Sequence, residues 1–107
     1  MKKIIYNKLV RDKIPQIIKE DGKCCTCEIL SDEDYKKLLD EKLTEELSEY
    51  QKSEDIEELA DMYEVMLAII KSKGYTKEQF EQIRKEKADK RGGFKDKVFL
   101  KEVVEEQ

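Results

Sequence analysis

Residues 45–70 read EELSEYQKSEDIEELADMYEVMLAII and contain one acidic pattern twice, EELSE at 45–49 and EELAD at 57–61. Both copies lie in stretches whose apolar residues recur at helical spacing. Residues three apart are neighbours on a helix surface, so Glu46 pairs with Glu49 and Glu58 pairs with Asp61. The stretch therefore predicts two helices, each of which carries a close pair of carboxylates.

Both carboxylate pairs are predicted to lie on apolar helix faces. At about 100° per residue, Met62, Val65 and Ile69 fall within roughly 40° of Glu58, and Asp61 lies about 60° to one side. In the preceding helix, Glu46 and Glu49 fall inside a wide apolar stripe. That stripe consists of Tyr35, Leu38, Leu39, Leu43 and Tyr50.

Four converging carboxylates on apolar faces need a neutralising partner, because buried charge is costly when it is unpaired. Carboxylate oxygens are hard ligands that suit Mg²⁺, with Mn²⁺ as an alternative. Either pair alone is more typical of a solvated acidic helix face. The repeated spacing and the apolar surroundings together favour a divalent-cation site formed by both pairs.

The two acidic helices are predicted to form an antiparallel hairpin. Ser31 caps the first, with Asp34 in a capping-box position, and this helix runs to about Lys52. Ser53 is a candidate cap for the second, which runs to about Lys73. A short connection between them would bring the carboxylate pairs face to face near the closed end. Because the second helix is apolar around most of its circumference, we expect it to pack against another subunit.

The flanking segments complete a single all-α domain over residues 1–107, a helical hairpin bundle completed by oligomerisation. Residues 1–10 are expected to form a short strand or an extended arm, and residues 23–30 a short extended segment. A short helix is predicted from about Asp12 to Glu20, with Pro15 at an early position. A third long helix is predicted with Thr76 as its cap and with Phe80 and Ile83 facing inward. It runs to about Lys90, and Gly92 and Gly93 terminate it.

Charge follows the order basic, acidic, basic along a chain whose net charge is −4. Residues 28–64 hold fifteen acidic and four lysine residues, whereas residues 1–13 and residues 84–97 each carry a net charge of +4. The acidic centre argues against a nucleic-acid polymer as partner. No apolar run approaches the length of a membrane span, and no secretory signal is evident, so we expect a cytoplasmic protein without membrane contact.

The three cysteines offer only half of a zinc pattern. Cys24 and Cys27 have the spacing of a ligand pair, but the sequence holds no second cysteine pair and no histidine. We expect reduced cysteines that line the fold.

Basic residues near both ends are candidate phosphate ligands. Arg11 and Lys13 follow the first apolar segment, and either ordinary surface charge or phosphate binding explains them. The basic end of the third long helix, with Lys87, Lys90 and Arg91, suits the negative end of the helix dipole as well as a ligand. Gly92 and Gly93 add a loop whose backbone can approach a ligand closely.

Three segments, in order, resemble the MazG-like all-α NTP pyrophosphohydrolase superfamily. Its paired acidic motif is similar to residues 45–49 together with residues 58–61. The opening YNKLVRDKIP at 6–15, EELAD at 57–61 and the KADKRGGF stretch at 87–94 are similar to a phosphoribosyl-ATP pyrophosphohydrolase-like subgroup. Only eight residues separate Glu49 from Glu58, fewer than in many members, so the hairpin must be tight.

The resemblance implies a Mg²⁺-dependent enzyme that cleaves a nucleoside triphosphate between the α and β phosphates, and that works as a homodimer or homotetramer. It implies Glu46, Glu49, Glu58 and Asp61 as metal ligands, with Glu45 or Glu49 as the acceptor of a proton from water. The implied phosphate- and nucleotide-binding residues are Asn7, Lys8, Arg11, Lys13, Lys87, Lys90, Arg91 and Phe94. Tyr6, Asn7, Tyr63 and Phe94 are all candidates for recognising the base.

Two further functions remain open from the sequence. Phosphoribosyl-ATP cleavage in histidine biosynthesis would use the same residues on another substrate. A non-enzymatic helical interaction module would leave the acids as a solvated face, and it predicts no effect of Mg²⁺ on stability.

Overall fold

The computed structural model describes residues 2–105, which contain four α-helices and no strand. The helices are α1 (Ile14–Glu20), α2 (Asp32–Ser53), α3 (Ile56–Ser72) and α4 (Lys77–Arg91). The all-α prediction is confirmed. Residues 1, 106 and 107, which the single-domain prediction includes, lie outside the described residues. The chain divides between Tyr75 and Thr76 into two compact units.

The first unit holds α1, α2 and α3. Pro15 lies in the first turn of α1, where its missing amide hydrogen costs no bond, and Gly22 with φ +79° follows the helix. Ser31 caps α2 by accepting a hydrogen bond from the Asp34 amide at 3.2 Å. Residues 2–13 and 23–30 form neither helix nor strand. The alternative of a short strand at the start of the chain is therefore wrong.

The link between α2 and α3 consists of Glu54 and Asp55. Glu54 has φ +56° in the left-handed region, and its amide donates to the Tyr50 carbonyl at 2.7 Å. Asp55, and not Ser53, caps α3, since its carboxylate accepts from the Glu57 amide at 3.3 Å. The Ser53 hydroxyl instead accepts from the Asp55 amide. The predicted Ser53 cap is wrong because Ser53 still belongs to the last turn of α2.

Within the first unit, helices α2 and α3 contact each other and form the predicted hairpin. Leu39 on α2 is 3% exposed and Ile70 on α3 is 9% exposed; no other described residue is buried. Leu39 lies in the first third of α2 and Ile70 in the last turns of α3, so this small core is at the open end of the hairpin. The acidic repeats occupy the closed end.

The second unit holds α4 and the segment that follows it. Thr76 and Gln79 form a reciprocal capping box, with hydrogen bonds of 2.9 and 3.0 Å. The helix ends at Gly92, whose φ of +84° suits a residue without a Cβ. Phe80 is partly buried as expected, whereas Ile83 is half exposed, so its predicted inward orientation is wrong.

Candidate functional site

Carboxylates from both arms of the hairpin meet near its closed end. One carboxylate oxygen from each of Glu46, Glu58 and Asp61 lies within 4.8 Å of the other two, and all three residues are partly buried. Glu46 comes from α2, and Glu58 and Asp61 from the first turns of α3. We call these three residues the acidic trio. The predicted meeting of the two repeats therefore occurs for three of the four proposed metal ligands.

The trio has the oxygen donors that a small divalent cation binds. Mg²⁺ binds oxygens at about 2.1 Å in an octahedron, which separates ligand oxygens by roughly 3 to 4 Å. Oxygens within 4.8 Å of one another can reach that spacing through small side-chain rotations. Three carboxylates also leave positions for water or phosphate oxygens. The residues present thus fit Mg²⁺.

Glu58 is the most electrostatically crowded member of the trio. Partial burial and the nearby charges of Glu49, Asp61 and Glu46 raise the pKa of its carboxyl above the ordinary value. No ion pair links Glu58 to a cation in residues 2–105. A bound cation would relieve this repulsion, because opposite charge favours the ionised carboxylate.

Glu49 lies outside the trio. It is exposed, although its sequence position placed it inside the apolar stripe of α2. Three helical residues turn the side chain by about 300°, so Glu49 points roughly 60° away from Glu46. That rotation is enough to take it from the face packed on α3 to the solvent edge. Its charge nevertheless acts on Glu58.

Glu45 is held by two lysines. Its carboxylate accepts a hydrogen bond from Lys8 at 3.1 Å and lies 3.7 Å from Lys42. Burial acts to raise the pKa of Glu45, but these two cations outweigh it and the pKa is lowered. The hydrogen bond and charge of Glu45 in turn raise the pKa of Lys8. Glu45 is thus ionised and paired.

The segment before α1 brings two of the predicted phosphate ligands onto the acidic repeats. Arg11 donates to the Asp61 carboxylate at 2.6 Å, across fifty residues of sequence, and Lys8 contacts Glu45. Lys8 also lies 5.9 Å above the Tyr6 ring. These contacts place one cation on the trio, at Asp61, and a second on Glu45, the neighbour of Glu46 in the chain.

Lys42 is a site residue that the sequence reasoning missed. Its ammonium lies 3.4 Å from Glu46 and 3.7 Å from Glu45, and its side chain is largely covered. The signal was present, because Lys42 precedes Glu45 and Glu46 by three and four residues and so shares their helix face.

Among the remaining predicted ligands in the first unit, Asn7 and Lys13 have no described contact with the trio. Asn7 is exposed, with φ +46°, a left-handed conformation that asparagine tolerates better than most residues. Lys13 is exposed and immediately precedes α1. The others are exposed members of the second unit: Lys87, Lys90, Arg91 and Phe94.

No helix within residues 2–105 has the length and apolar character needed to span a membrane. Comparison of the chain with protein-family models, with curated proteins and with solved structures finds no match.

Proposed function

We propose that this protein is a Mg²⁺-dependent nucleoside triphosphate pyrophosphohydrolase that converts (d)NTP to (d)NMP and pyrophosphate. The observation that carries the proposal is the meeting of Glu46 with Glu58 and Asp61 across the closed end of the hairpin. The motif resemblance of the sequence adds the reaction class. The proposed role is removal of unwanted nucleotides in the cytoplasm.

Glu46, Glu58 and Asp61 would hold Mg²⁺, with Glu49 as a fourth ligand or a ligand through water. When bound, the ion polarises phosphate oxygens and lowers the pKa of a coordinated water. Arg11 and Lys8 would exchange their carboxylate partners for phosphate oxygens as substrate enters. Such positioning and charge neutralisation supply most of what phosphoryl transfer needs.

Glu49 is better suited than Glu45 to accept the proton of the attacking water. Glu45 is committed to Lys8 and Lys42, which lower its pKa and weaken it as a base. Glu49 makes no ion pair with any residue in 2–105 and acts electrostatically on Glu58. The proposal retains as further nucleotide ligands Asn7, Lys13, Lys87, Lys90, Arg91 and Phe94.

We also propose that the enzyme works as a homodimer or homotetramer. Ile56, Leu59 and Tyr63 recur at helical spacing on α3 and are all exposed, by 73%, 38% and 47%. Leu47 on α2, next to Glu46, is exposed as well. This exposed apolar stripe is stabilised when a second copy covers it, because burial of apolar surface is the main driving force of association.

The test is to incubate the protein with Mg²⁺ and a panel of (d)NTPs and phosphoribosyl-ATP, and to measure pyrophosphate and orthophosphate separately. We expect pyrophosphate from at least one nucleoside triphosphate. In Glu58→Gln the rate of pyrophosphate release should fall by about 100-fold or more, since even changes to residues that only support metal ligands reduce activity by about 10- to 100-fold. Glu57→Gln, on the same helix turn but outside the trio, should retain the rate.

Each other product pattern would contradict the proposal in a specific way. Orthophosphate as the first product would mean cleavage at the γ phosphate. Pyrophosphate from phosphoribosyl-ATP alone would move the protein to histidine biosynthesis. Absence of both products, together with no Mg²⁺-induced change in thermal stability, would favour the non-enzymatic module.

A further inference from the structure

Residues 23–30, which connect α1 to α2, carry three thiols in a run of four positions. Cys24, Cys25 and Cys27 are all free and exposed, so the prediction that they line the fold is wrong. The segment has no helix or strand. Its one backbone hydrogen bond described in the structure is at its start, from the Lys23 amide to the Ile18 carbonyl at 3.1 Å. The thiols therefore belong to a part of the chain that can change conformation at low cost.

Two of the three thiols are hydrogen-bonded to each other. The Cys27 thiol donates a hydrogen bond to the Cys25 sulfur, and the two sulfurs are 3.9 Å apart. Residues two apart in an extended chain direct their side chains to the same side, which favours such a contact. Cys24 has no hydrogen bond among those described in residues 2–105. The hydrogen bond with Cys27 is also the main cause that raises the pKa of Cys25. Local geometry thus separates a pair, Cys25 and Cys27, from a single thiol, Cys24.

The approach needed to form a disulfide is small. A disulfide holds its sulfurs at about 2.05 Å, with Cα atoms up to roughly 6.8 Å apart. Two residues of extended chain span about 7 Å at most, so a slight bend at Thr26 brings Cys25 and Cys27 within range. The sulfurs must move about 2 Å closer than the observed 3.9 Å. An exposed segment without regular structure permits that movement.

We propose that Cys25 and Cys27 form a reversible dithiol–disulfide site that reacts with small-molecule disulfides. This site is separate from the proposed pyrophosphohydrolase function and does not depend on it. Its chemical partner is any accessible low-molecular-weight disulfide of the glutathione type.

The reaction is two successive thiol–disulfide exchanges. One thiolate of the pair attacks a sulfur of the small disulfide, forms a mixed disulfide and expels the first small thiolate. The other thiolate then attacks the protein sulfur of that mixed disulfide and expels the second small thiolate. The two protons of the protein thiols end on the two released thiols. The protein pair is oxidised and the small disulfide is reduced, with no further reagent.

Cys24 takes no part in the closed product. Only the Cys25 and Cys27 sulfurs are in contact among the described thiols, which favours their bridge over a Cys24–Cys27 bridge. A Cys24–Cys25 disulfide is disfavoured as well, because adjacent cysteines can bridge only through a strained eight-membered ring. The site should therefore lose two thiols and retain one.

The test is to treat the reduced full chain with graded ratios of oxidised to reduced glutathione, to alkylate the remaining thiols, and to identify bridges by peptide mass spectrometry. We expect the free-thiol count to fall from three to one, with a Cys25–Cys27 bridge and a loss of two hydrogen atoms from the mass. Circular dichroism of each variant shows that the helices are retained.

Matched serine variants separate the pair from the third thiol. Cys24→Ser should form the same bridge and fall from two thiols to none. Cys25→Ser and Cys27→Ser should stop at mixed disulfides with glutathione and lose the internal bridge. The proposal is overturned if the wild-type chain carries only mixed disulfides, if bridges that include Cys24 match or exceed the Cys25–Cys27 bridge, or if the cross-links join two chains.

Discussion

Glu58 lies among three other carboxylates, and that crowding links the proposed site to the stability of the folded chain. Its pKa is raised by burial and by Glu49, Asp61 and Glu46. A carboxylate whose pKa is higher in the folded state disfavours folding once it is ionised. The trio therefore lowers the stability of the metal-free chain, because Arg11 and Lys42 offset the charges of Asp61 and Glu46 but not that of Glu58.

We predict that Glu58→Gln stabilises the metal-free protein at neutral pH. The ionised Glu58 carboxylate opposes folding above its raised pKa, and this penalty disappears as pH falls below the ordinary glutamate value of about 4.3. The difference in urea midpoint between the variant and the wild type should thus be largest near pH 7 and should shrink towards zero as the pH falls to about 4. Chelator must be present throughout the measurement.

Glu57→Gln is the control for this pH series. It removes a charge from the same first turn of α3 and so matches the change in helix-dipole interaction, but it lies outside the trio. Equal stabilisation by both variants would show that net charge, and not crowding at the trio, is the cause.

At the scale of elements, the α2–α3 hairpin depends on a two-residue link. Glu54 adopts the left-handed region with φ +56°, which costs an L-residue roughly 1 kcal/mol relative to glycine. Its amide nevertheless bonds the Tyr50 carbonyl and ends α2 at Ser53. Because the turn sets which residues of α2 and α3 face each other, it also sets the meeting of the acidic repeats.

We predict that Glu54→Gly stabilises the chain by about 0.5–1 kcal/mol, since glycine adopts the left-handed region without steric cost. Denaturant unfolding followed by circular dichroism measures the effect. The same substitution at Glu41, exposed in the interior of α2, should destabilise by about 1 kcal/mol. Destabilisation at both positions would mean that Glu54 is not strained in solution.

At the scale of the whole molecule, little apolar surface is removed from water by the chain itself. Only Leu39 and Ile70 are buried in residues 2–105, whereas Ile56 and Tyr63 on α3 are largely open. Net stability is a small difference between burial and chain entropy. Because the chain buries so little apolar surface, we expect a second copy that covers the exposed apolar residues of α3 to increase its stability.

We predict that the protein is a dimer or tetramer and that Ile56→Ser combined with Tyr63→Ser shifts it towards the monomer. The variant removes apolar area from the exposed stripe without touching the acidic trio or the buried Leu39 and Ile70. Light scattering across a concentration series measures the mass. Ile83→Ser, on the half-exposed face of α4, is the control and should leave the mass unchanged. A monomeric wild-type protein would contradict the prediction.

The sequence alone sufficed for features that depend on neighbours within a few residues. Pro15 in α1, the Ser31 and Thr76 caps and Gly92 after α4 act through local hydrogen bonds and allowed backbone angles. Local spacing also identified the two carboxylate pairs. Prediction from the sequence failed where two neighbouring residues are both suitable helix caps, as Ser53 and Asp55 are at the start of α3.

Which charges meet depends on the packing of segments that are distant in the sequence. Packing of α2 on α3 brings Glu46 to Glu58 and Asp61 and leaves Glu49 at the solvent edge, a distinction that rests on about 60° of helix rotation. Arg11 reaches Asp61 across fifty residues. Spacing along the chain carries no information on such long-range contacts, because they depend on where packed helices place distant side chains. The acidic repeats could therefore be identified from the sequence, whereas the residues that contact them could not.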